Sequence, residues 1–190
     1  MKTLEEKIVA DGLALGTEII KVDSFLNHQI DVKFLRSMGQ EFARLFAADG
    51  VSKILTMESS GIAIAYATAE AMGDIPVVFA KKTNANTMDT EKYSAAVKSF
   101  TRGTTSIACV AKKFLAPEDV ILIIDDFLAH GEAAGALIDI VRQSGARLAG
   151  MGAVIEKKFQ GGGDKLRALG LHLESLSIVE KIEDGIISFA

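Results

Sequence analysis

Cysteine, proline and tryptophan are scarce in this chain of 190 residues, which has one cysteine, two prolines and no tryptophan. One cysteine excludes an internal disulfide and any metal site that needs several cysteines. Because Cys109 lies in the apolar run SIACVA, we expect it to be a small core residue rather than a nucleophile. The chain also lacks repeats, low-complexity tracts and linkers, which favours a single domain over 1–190.

An excess of positive charge is absent as well. The 21 basic and 25 acidic residues are mixed along the chain and give a net charge of −4, whereas nucleic-acid binders usually carry a basic face. No apolar run is long enough to cross a bilayer, and the first residues, MKTLEEKIVADG, lack the apolar stretch of a secretory signal. We therefore expect no nucleic-acid partner, no membrane contact and a cytoplasmic location.

Short β-branched runs alternate with helical patterns through the middle of the chain. The runs that predict strands cover 51–57, 75–80, 104–111, 120–124 and 148–155. Helical patterns follow the first and the fourth of these runs and end at Gly73 and Gly145. Strands that are apolar on both sides are typical of a parallel sheet with helices on both faces. The sequence thus predicts an α/β fold whose ligands bind beyond the carboxyl ends of the strands.

One long polar segment interrupts this alternation. Residues 81–103 lack a clear period and lie between two predicted strands. A connection of that length in a compact domain is usually functional or mobile. We favour a flexible lid over 81–103, with a solvated hairpin insertion as the alternative.

The two ends of the chain also stand outside the alternation. Segments 19–31 and 171–189 both have the pattern of strands with turns. A small hood built from both ends accounts for this. We place the hood at about 15–31 and 156–190 and the core at about 32–155.

The clearest chemistry follows the fourth predicted strand, where Asp125 and Asp126 come directly after VILII. Carboxylates at the edge of a sheet accept hydrogen bonds from vicinal hydroxyls or bind a metal through water. The next residues, LAHGEAA, open a helix, so their backbone N–H groups and the helix dipole favour an anion. Small residues there let a phosphate approach the backbone. Sugar hydroxyls beside a phosphate describe ribose 5-phosphate.

The acid pair by itself has other interpretations. A receiver domain carries paired acids near its first strand, about ten residues into the chain, whereas these stand at 125–126. A dinucleotide site needs G-x-G-x-x-G after a strand, and no strand here is followed by that motif. The acids alone leave open a purely structural role at the start of a helix. The turn 58–61 is a second candidate anion nest, since two serines and a glycine open a helix there, with a plain helix cap as its alternative.

The segment VILIIDDFLAHGEAA resembles the signature with which type I phosphoribosyltransferases bind 5-phosphoribosyl 1-pyrophosphate (PRPP). Further matching segments are KVDSFLNHQID, TMESSGIA, VVFAKK and VIEKKFQ. Together they resemble the xanthine phosphoribosyltransferases of bacteria, from about residue 19 to the end of the chain. The resemblance implies a parallel-sheet type I phosphoribosyltransferase fold with a small hood.

The resemblance also implies an activity. It is the purine-salvage reaction that converts xanthine and PRPP to xanthosine 5′-monophosphate and pyrophosphate, with Mg²⁺ carried by PRPP and no direct protein ligand to the metal. A homodimer is implied as well. The alternatives are a hypoxanthine or guanine phosphoribosyltransferase and, further away, a PRPP-sensing transcriptional regulator.

Site residues follow from the same resemblance. Asp125 and Asp126 are the candidate catalytic residues and would bind the ribose hydroxyls. The residues implied around the 5-phosphate of PRPP are Ala129, His130, Gly131, Glu132 and Ala133. Those implied for pyrophosphate are Glu58, Ser59, Ser60, Gly61 and Lys81. Those implied for xanthine are Ile20, Asn27 and Lys157, with Phe127 or Phe159 as a stacking partner. Candidate lid cations are Lys81, Lys82, Lys92, Lys98 and Arg102.

Two positions depart from the family pattern. His130 stands where asparagine is expected, which adds an imidazole beside a phosphate. The run FQGGGD (159–164) replaces a Pro-Gly-Arg type of turn. We expect its extra glycines to loosen the loop beside the base. His28 and His172 are expected to be structural.

Overall fold

The computed structural model describes residues 1–83, 91–99 and 104–190. The described helices are α1 (Lys2–Asp11), α2 (Val32–Leu45), α3 (Gly61–Ala71), α4 (Glu132–Ser144) and α5 (Gly162–Ala168). The described strands are β1 (Leu13–Leu15), β2 (Ile19–Lys21), β3 (Lys53–Met57), β4 (Val77–Thr83), β5 (Lys92–Ser99), β6 (Thr104–Ala111), β7 (Val120–Leu128), β8 (Arg147–Lys157), β9 (Leu173–Glu183) and β10 (Ile186–Phe189). Asp23–Asn27 forms a short π-helix, and Lys112–Phe114 and Lys158–Gln160 form 3₁₀ turns.

Within these residues the main sheet has eight strands in the order β10-β9-β8-β7-β3-β4-β6-β5. The five strands from β9 to β4 are parallel to one another. The flanking strands β10, β6 and β5 are antiparallel to their neighbours. The predicted α/β class is therefore confirmed, with a sheet that is mostly parallel.

Helices cover both faces of this sheet. Leu122 and Ile124 of β7 pack in one hydrophobic cluster with α2 and α3. Ile121 and Ile123 pack in a second cluster with α4. Because successive side chains of a strand point to opposite faces, the two clusters lie on opposite sides of the sheet. This explains why the VILII run is apolar at every position.

The expectation that 104–111 joins a parallel sheet is wrong for that strand, because β6 is antiparallel to both β4 and β5. A parallel connection needs a crossover of about a dozen residues or more, usually with a helix. Only 100–103 separate β5 from β6, so the two strands pair as antiparallel neighbours. The described part of the predicted lid thus consists of 81–83, at the end of β4, and 91–99, which contains the edge strand β5. The antiparallel pairing of β5 with β6 is close to the hairpin alternative. Residues 84–90 and 100–103, including the candidate Arg102, lie outside the described residues.

The two ends of the chain meet. Segment 171–189, predicted to form strands with turns outside the alternation, contains β9, which extends the sheet by pairing in parallel with β8, for example Ile155 with Ser177. The strands β1 and β2 form a separate two-stranded sheet. The amino group of Met1 donates to the carbonyl of Leu176 in β9. No helix in the described part of the chain is both long and apolar enough to span a bilayer.

Candidate active site

The acid pair lies in β7, near the carboxyl ends of the parallel strands. The strand does not stop at Ile124 as predicted but continues to Leu128, because Phe127 pairs with Ile155 of β8. Asp125 and Asp126 are each only 7% exposed. The Asp126 N–H donates to Oδ1 of Asp125 at 3.0 Å. Burial, reinforced by the charge of Asp126, raises the pKa of the Asp125 carboxyl well above its ordinary value. Two buried acids side by side suit a partner that donates hydrogen bonds or carries positive charge.

The turn 58–61 lies directly against this acid pair. Gly61 begins α3, and a Cβ added to it would lie 2.2 Å from Thr56 Oγ1 and 3.0 Å from Asp125 Oδ1. The Ser60 side chain does not cap α3, so the cap interpretation fails for that residue. The Glu58 carboxylate accepts a hydrogen bond from the Lys82 N–H at 2.6 Å, which ties the turn to β4. The peptide bond between Glu58 and Ser59 is cis.

The loop between β7 and α4 forms one wall of an open cleft of about 400 Å³. Gly131 precedes α4 with φ of 89°, a conformation that favours glycine, and no side chain caps the helix. The cleft is lined by Lys82, Val97, Lys98, Ser106 and all residues from Phe127 to Ala134. The five residues predicted around the 5-phosphate are therefore together. Lys82 and Lys98 bring positive charge to them, whereas Lys81, the previous residue of β4, does not line the cleft.

Of the three predicted base-binding residues, Asn27 contacts the acid pair, and Lys157 and Ile20 lie near Phe127. The Asn27 Nδ2 group donates to Asp126 Oδ2 at 3.2 Å. Lys157 Nζ donates to the Glu18 carbonyl at 2.7 Å and lies 5.5 Å from the centre of the Phe127 ring. Burial lowers the pKa of the Lys157 ammonium. Ile20 is buried in the core cluster against which Phe127 packs.

Phe159, the other predicted stacking residue, is 39% exposed. It lies in the 3₁₀ turn that follows β8, whereas Phe127 lines the cleft together with the loop 129–133. Of the two predicted stacking residues, Phe127 is the one whose ring lies beneath the Lys157 ammonium, with Nζ 5.5 Å from the ring centre.

The glycine run after Gln160 packs tightly instead of loosening its loop, so that prediction is wrong. Gly162 and Gly163 are buried, and the Gly162 N–H donates to the Ala129 carbonyl at 3.0 Å. The His130 Nδ1 lies 3.2 Å from the Gln160 carbonyl. Sequence reasoning missed Gly162 as a site residue, because glycine permits both free and very close backbone packing.

A second feature missed in the sequence lies behind the glycine run. The Glu156 carboxylate, 1% exposed, accepts two hydrogen bonds of 2.7 Å from Arg167. Among the residues that the structure describes, no group of three or more His, Cys, Asp or Glu side chains is placed to hold a metal ion.

The sequence of the chain is similar to those of proteins of known identity. The chain is 53% identical over 190 residues to the xanthine phosphoribosyltransferase of Heliobacterium modesticaldum, covering all of both chains. It is 49% identical over 189 residues to that of Ruminiclostridium cellulolyticum, covering 100% of this chain and 99% of the relative. For Streptococcus pneumoniae the identity is 50% over 189 residues, with 100% and 97% covered.

The chain belongs to the xanthine phosphoribosyltransferase family. The resemblance drawn from the sequence segments is thereby confirmed, and the family is one of pentosyltransferase enzymes. No family model matches the chain.

Solved structures confirm the fold of this xanthine phosphoribosyltransferase family member. Adenine phosphoribosyltransferase from Rhodothermus marinus superimposes with a TM-score of 0.74 at 21% identity, covering 94% of this chain and 99% of the other. The adenine enzyme from Thermoanaerobacter pseudethanolicus gives 0.67 at 22% identity, covering 78% and 81%. At 21–22% identity, this similarity shows the type I phosphoribosyltransferase fold but not which base the chain uses.

Proposed function

We propose that this chain transfers the phosphoribosyl group of PRPP to xanthine, giving xanthosine 5′-monophosphate and pyrophosphate in purine salvage. The observation that supports it most is the meeting of three elements at one edge of the sheet. The buried acids Asp125 and Asp126 lie between the turn 58–61 and the loop 129–133. An acid pair between two groups of backbone amides matches a ribose that carries a phosphate at one end and pyrophosphate at the other.

The ribose and its 5-phosphate occupy the β7 side of the site. Asp125 and Asp126 accept hydrogen bonds from the ribose hydroxyls. The amides of Ala129, His130, Gly131, Glu132 and Ala133 hold the 5-phosphate at the start of α4. Lys82 and Lys98, which line the same cleft, add positive charge. These groups fix where the sugar lies relative to the base.

Pyrophosphate lies at the start of α3, against the amides of the turn 58–61 with Lys81 nearby. Breaking the bond between C1 and oxygen builds positive charge on the ribose and negative charge on pyrophosphate, so the protein needs no covalent nucleophile. It positions the reactants and stabilises the departing anion. When bound with PRPP, Mg²⁺ would neutralise part of that anion's charge. The carboxylate oxygens of Asp125 and Asp126 would hold it through water.

Xanthine lies between the acid pair and the end of β8. The Lys157 ammonium donates to an exocyclic carbonyl oxygen, a preference that favours oxopurines over adenine. Asn27, already bonded to Asp126, has a carbonyl oxygen left to accept from the base edge. Phe127 offers an aromatic face beneath Lys157, and Ile20 closes the apolar side.

The wider organisation belongs to the same proposal. A single domain over 1–190 has its hood at about 15–31 and 156–190 and a lid at about 81–103. The hydrogen bond from Lys157 to Glu18 supports a hood made from both ends of the chain. We place the enzyme in the cytoplasm as a homodimer without a nucleic-acid partner.

Pyrophosphate release tests the function directly. The purified protein is mixed with PRPP and Mg²⁺, and xanthine, guanine, hypoxanthine or adenine is added separately. Preference for xanthine is the expected result. Preference for another oxopurine would keep the chemistry and reassign the base pocket, and no release with any base would overturn the proposal.

A further inference from the structure

The loop that holds the 5-phosphate in the proposed function rests on the backbone of Gly162, about thirty residues further along the chain. The Gly162 N–H donates to the Ala129 carbonyl at 3.0 Å. A Cβ added to Gly162 would lie 2.3 Å from that carbonyl oxygen, 2.7 Å from the Gly131 nitrogen and 2.8 Å from the His130 carbonyl carbon. All three are main-chain atoms, which do not rotate away as the end of a side chain does. Any side chain at this position therefore displaces the loop or α5.

A second contact joins the same two segments. The His130 Nδ1 lies 3.2 Å from the carbonyl oxygen of Gln160, two residues before Gly162. On the loop side, a Cβ on Gly131 would lie 3.5 Å from the Cα of Gly162. The two glycines thus face each other with main chain against main chain. No other residue type at position 162 permits this distance.

Helix α5, which begins at Gly162, is itself anchored to the end of β8. Arg167 donates two hydrogen bonds of 2.7 Å to Glu156, and the Ser175 hydroxyl donates a third at 2.5 Å. Burial alone disfavours the charged carboxylate, but the bonds from Arg167 and Ser175 outweigh it and lower the pKa of Glu156. A Cβ on Gly163 would lie 1.9 Å from Glu156 Oε1, so α5 reaches this carboxylate only because position 163 is glycine.

We propose that Gly162 is a positioning residue for PRPP, which holds the loop 129–131 at the place where its amides meet the 5-phosphate. The Glu156–Arg167 pair fixes Gly162 from behind. Glu156 directly precedes Lys157, so the same anchor joins the phosphate end of the site to the base end. This inference rests on the proposed function, because it assumes that the loop 129–133 binds the 5-phosphate.

Gly162→Ala tests the contact with little change to the backbone preference, since Gly162 lies in a helix and does not have a positive φ. We expect the KM for PRPP to rise about tenfold or more, with smaller changes in kcat and in the KM for xanthine, because ground-state binding of PRPP is what is lost. Titration of Mg²⁺ and PRPP into the protein without base should show the same loss of affinity.

Gly135→Ala is the matched control. Gly135 lies in α4, also without a positive φ, and a Cβ there would meet nothing within 4 Å. This variant should keep the kinetic constants of the original chain. A KM for PRPP in Gly162→Ala within about twofold of the control would overturn the inference.

Arg167→Lys decides the matter if Gly162→Ala does not fold. Lysine keeps the charge but cannot make the bidentate hydrogen bonds to Glu156. Because these bonds fix α5 and Gly162, the KM for PRPP should rise more than the KM for xanthine. Equal constants in this variant and the original chain would overturn the inference. The proposed function fails separately, namely if the unchanged chain itself releases no pyrophosphate from PRPP.

Discussion

The two helix starts of the site, at α3 and at α4, look alike in sequence but are held in different ways. Each follows a parallel strand, each has a glycine at its start (Gly61 as the first residue of α3, Gly131 directly before α4), and neither is capped by a side chain. Gly61 of α3 is confined by side-chain atoms of Thr56 and Asp125 in the adjoining strands. Gly131 before α4 instead faces the main chain of Gly162. The proposed pyrophosphate site is therefore part of the sheet core, whereas the proposed 5-phosphate site depends on a segment far along the chain.

This difference predicts which substitutions should disturb each helix start. The turn 58–61 and the acid pair form one packed unit, so a change in one moves the other. The phosphate loop is a separate unit whose support comes from α5 and, behind it, from Glu156 and Arg167. Ribose hydroxyls and pyrophosphate should therefore be affected together, and the 5-phosphate more independently.

The largest effect is expected from Asp125→Asn together with Asp126→Asn, because the acid pair lies between the two anion sites. Hydrogen bonds to charged groups contribute about 1.5–3 kcal/mol each, so losing two charges should lower kcat/KM by roughly 10²- to 10⁴-fold. Circular dichroism should show an intact fold, since asparagine nearly preserves the shape. Turnover near that of the unchanged chain would refute the assignment of these acids to the ribose.

Gly61→Ala and Gly131→Ala compare the two helix starts directly. A methyl group on Gly61 would lie 2.2 Å from Thr56 Oγ1, so overpacking should destabilise the fold by about 1–3 kcal/mol and misplace the acids. We expect about a hundredfold loss of kcat/KM. At Gly131, φ is 89° and the nearest atom would be 3.5 Å away.

Alanine at Gly131 therefore meets backbone strain of about 1–2 kcal/mol without a clash. We expect about a tenfold rise in the KM for PRPP and little change in kcat. Steady-state kinetics and thermal unfolding, measured on both variants, distinguish the effect of Gly61→Ala from that of Gly131→Ala. If Gly131→Ala proves the more damaging to kcat, the distinction between a packed and a separately supported site is wrong.

Lys157→Ala should affect the base and leave both anion sites intact. Loss of a charged hydrogen bond of about 1.5–3 kcal/mol predicts a rise of about ten- to a hundredfold in the KM for xanthine. PRPP affinity, measured by titration without base, should stay unchanged. Lys158→Ala is the control, because that exposed lysine pairs with Glu180 on the surface. Equal damage to PRPP and xanthine binding would place Lys157 elsewhere in the site.

Local pattern was enough to predict the strand–loop–helix unit around the acid pair, but not its supports. The apolar run of β7, the small loop and Gly145, which ends α4 at φ of 76°, are each visible within a few residues. The bonds from Asn27 to Asp126 and from Gly162 to Ala129 join segments 99 and about thirty residues apart. Periodicity shows which residues are buried, not which element buries them. For the same reason the pairing of β9 with β8 was not predicted, and the glycine run was predicted to be loose.

The smallest effect is a change in stability with pH that separates the acid pair from surface carboxylates. Burial and the charge of Asp126 raise the pKa of Asp125 in the folded chain. The folded chain then binds more protons than the unfolded chain between the ordinary and the raised pKa, so the free energy of unfolding falls as pH rises through that window and stays lower above it. Asp125→Asn removes this cost while its Oδ1 still accepts from the Asp126 N–H. The Tm of this variant, relative to that of the unchanged chain, should therefore be higher at about pH 8 than at about pH 4. Calorimetry measures this, because about 1 kcal/mol corresponds to about 2–4 °C in Tm for a chain of this size. Asp139→Asn is the control, because Asp139 is exposed on α4, and it should show no such difference. Equal Tm shifts at both pH values for Asp125→Asn would mean that the buried acid pair does not destabilise the folded chain.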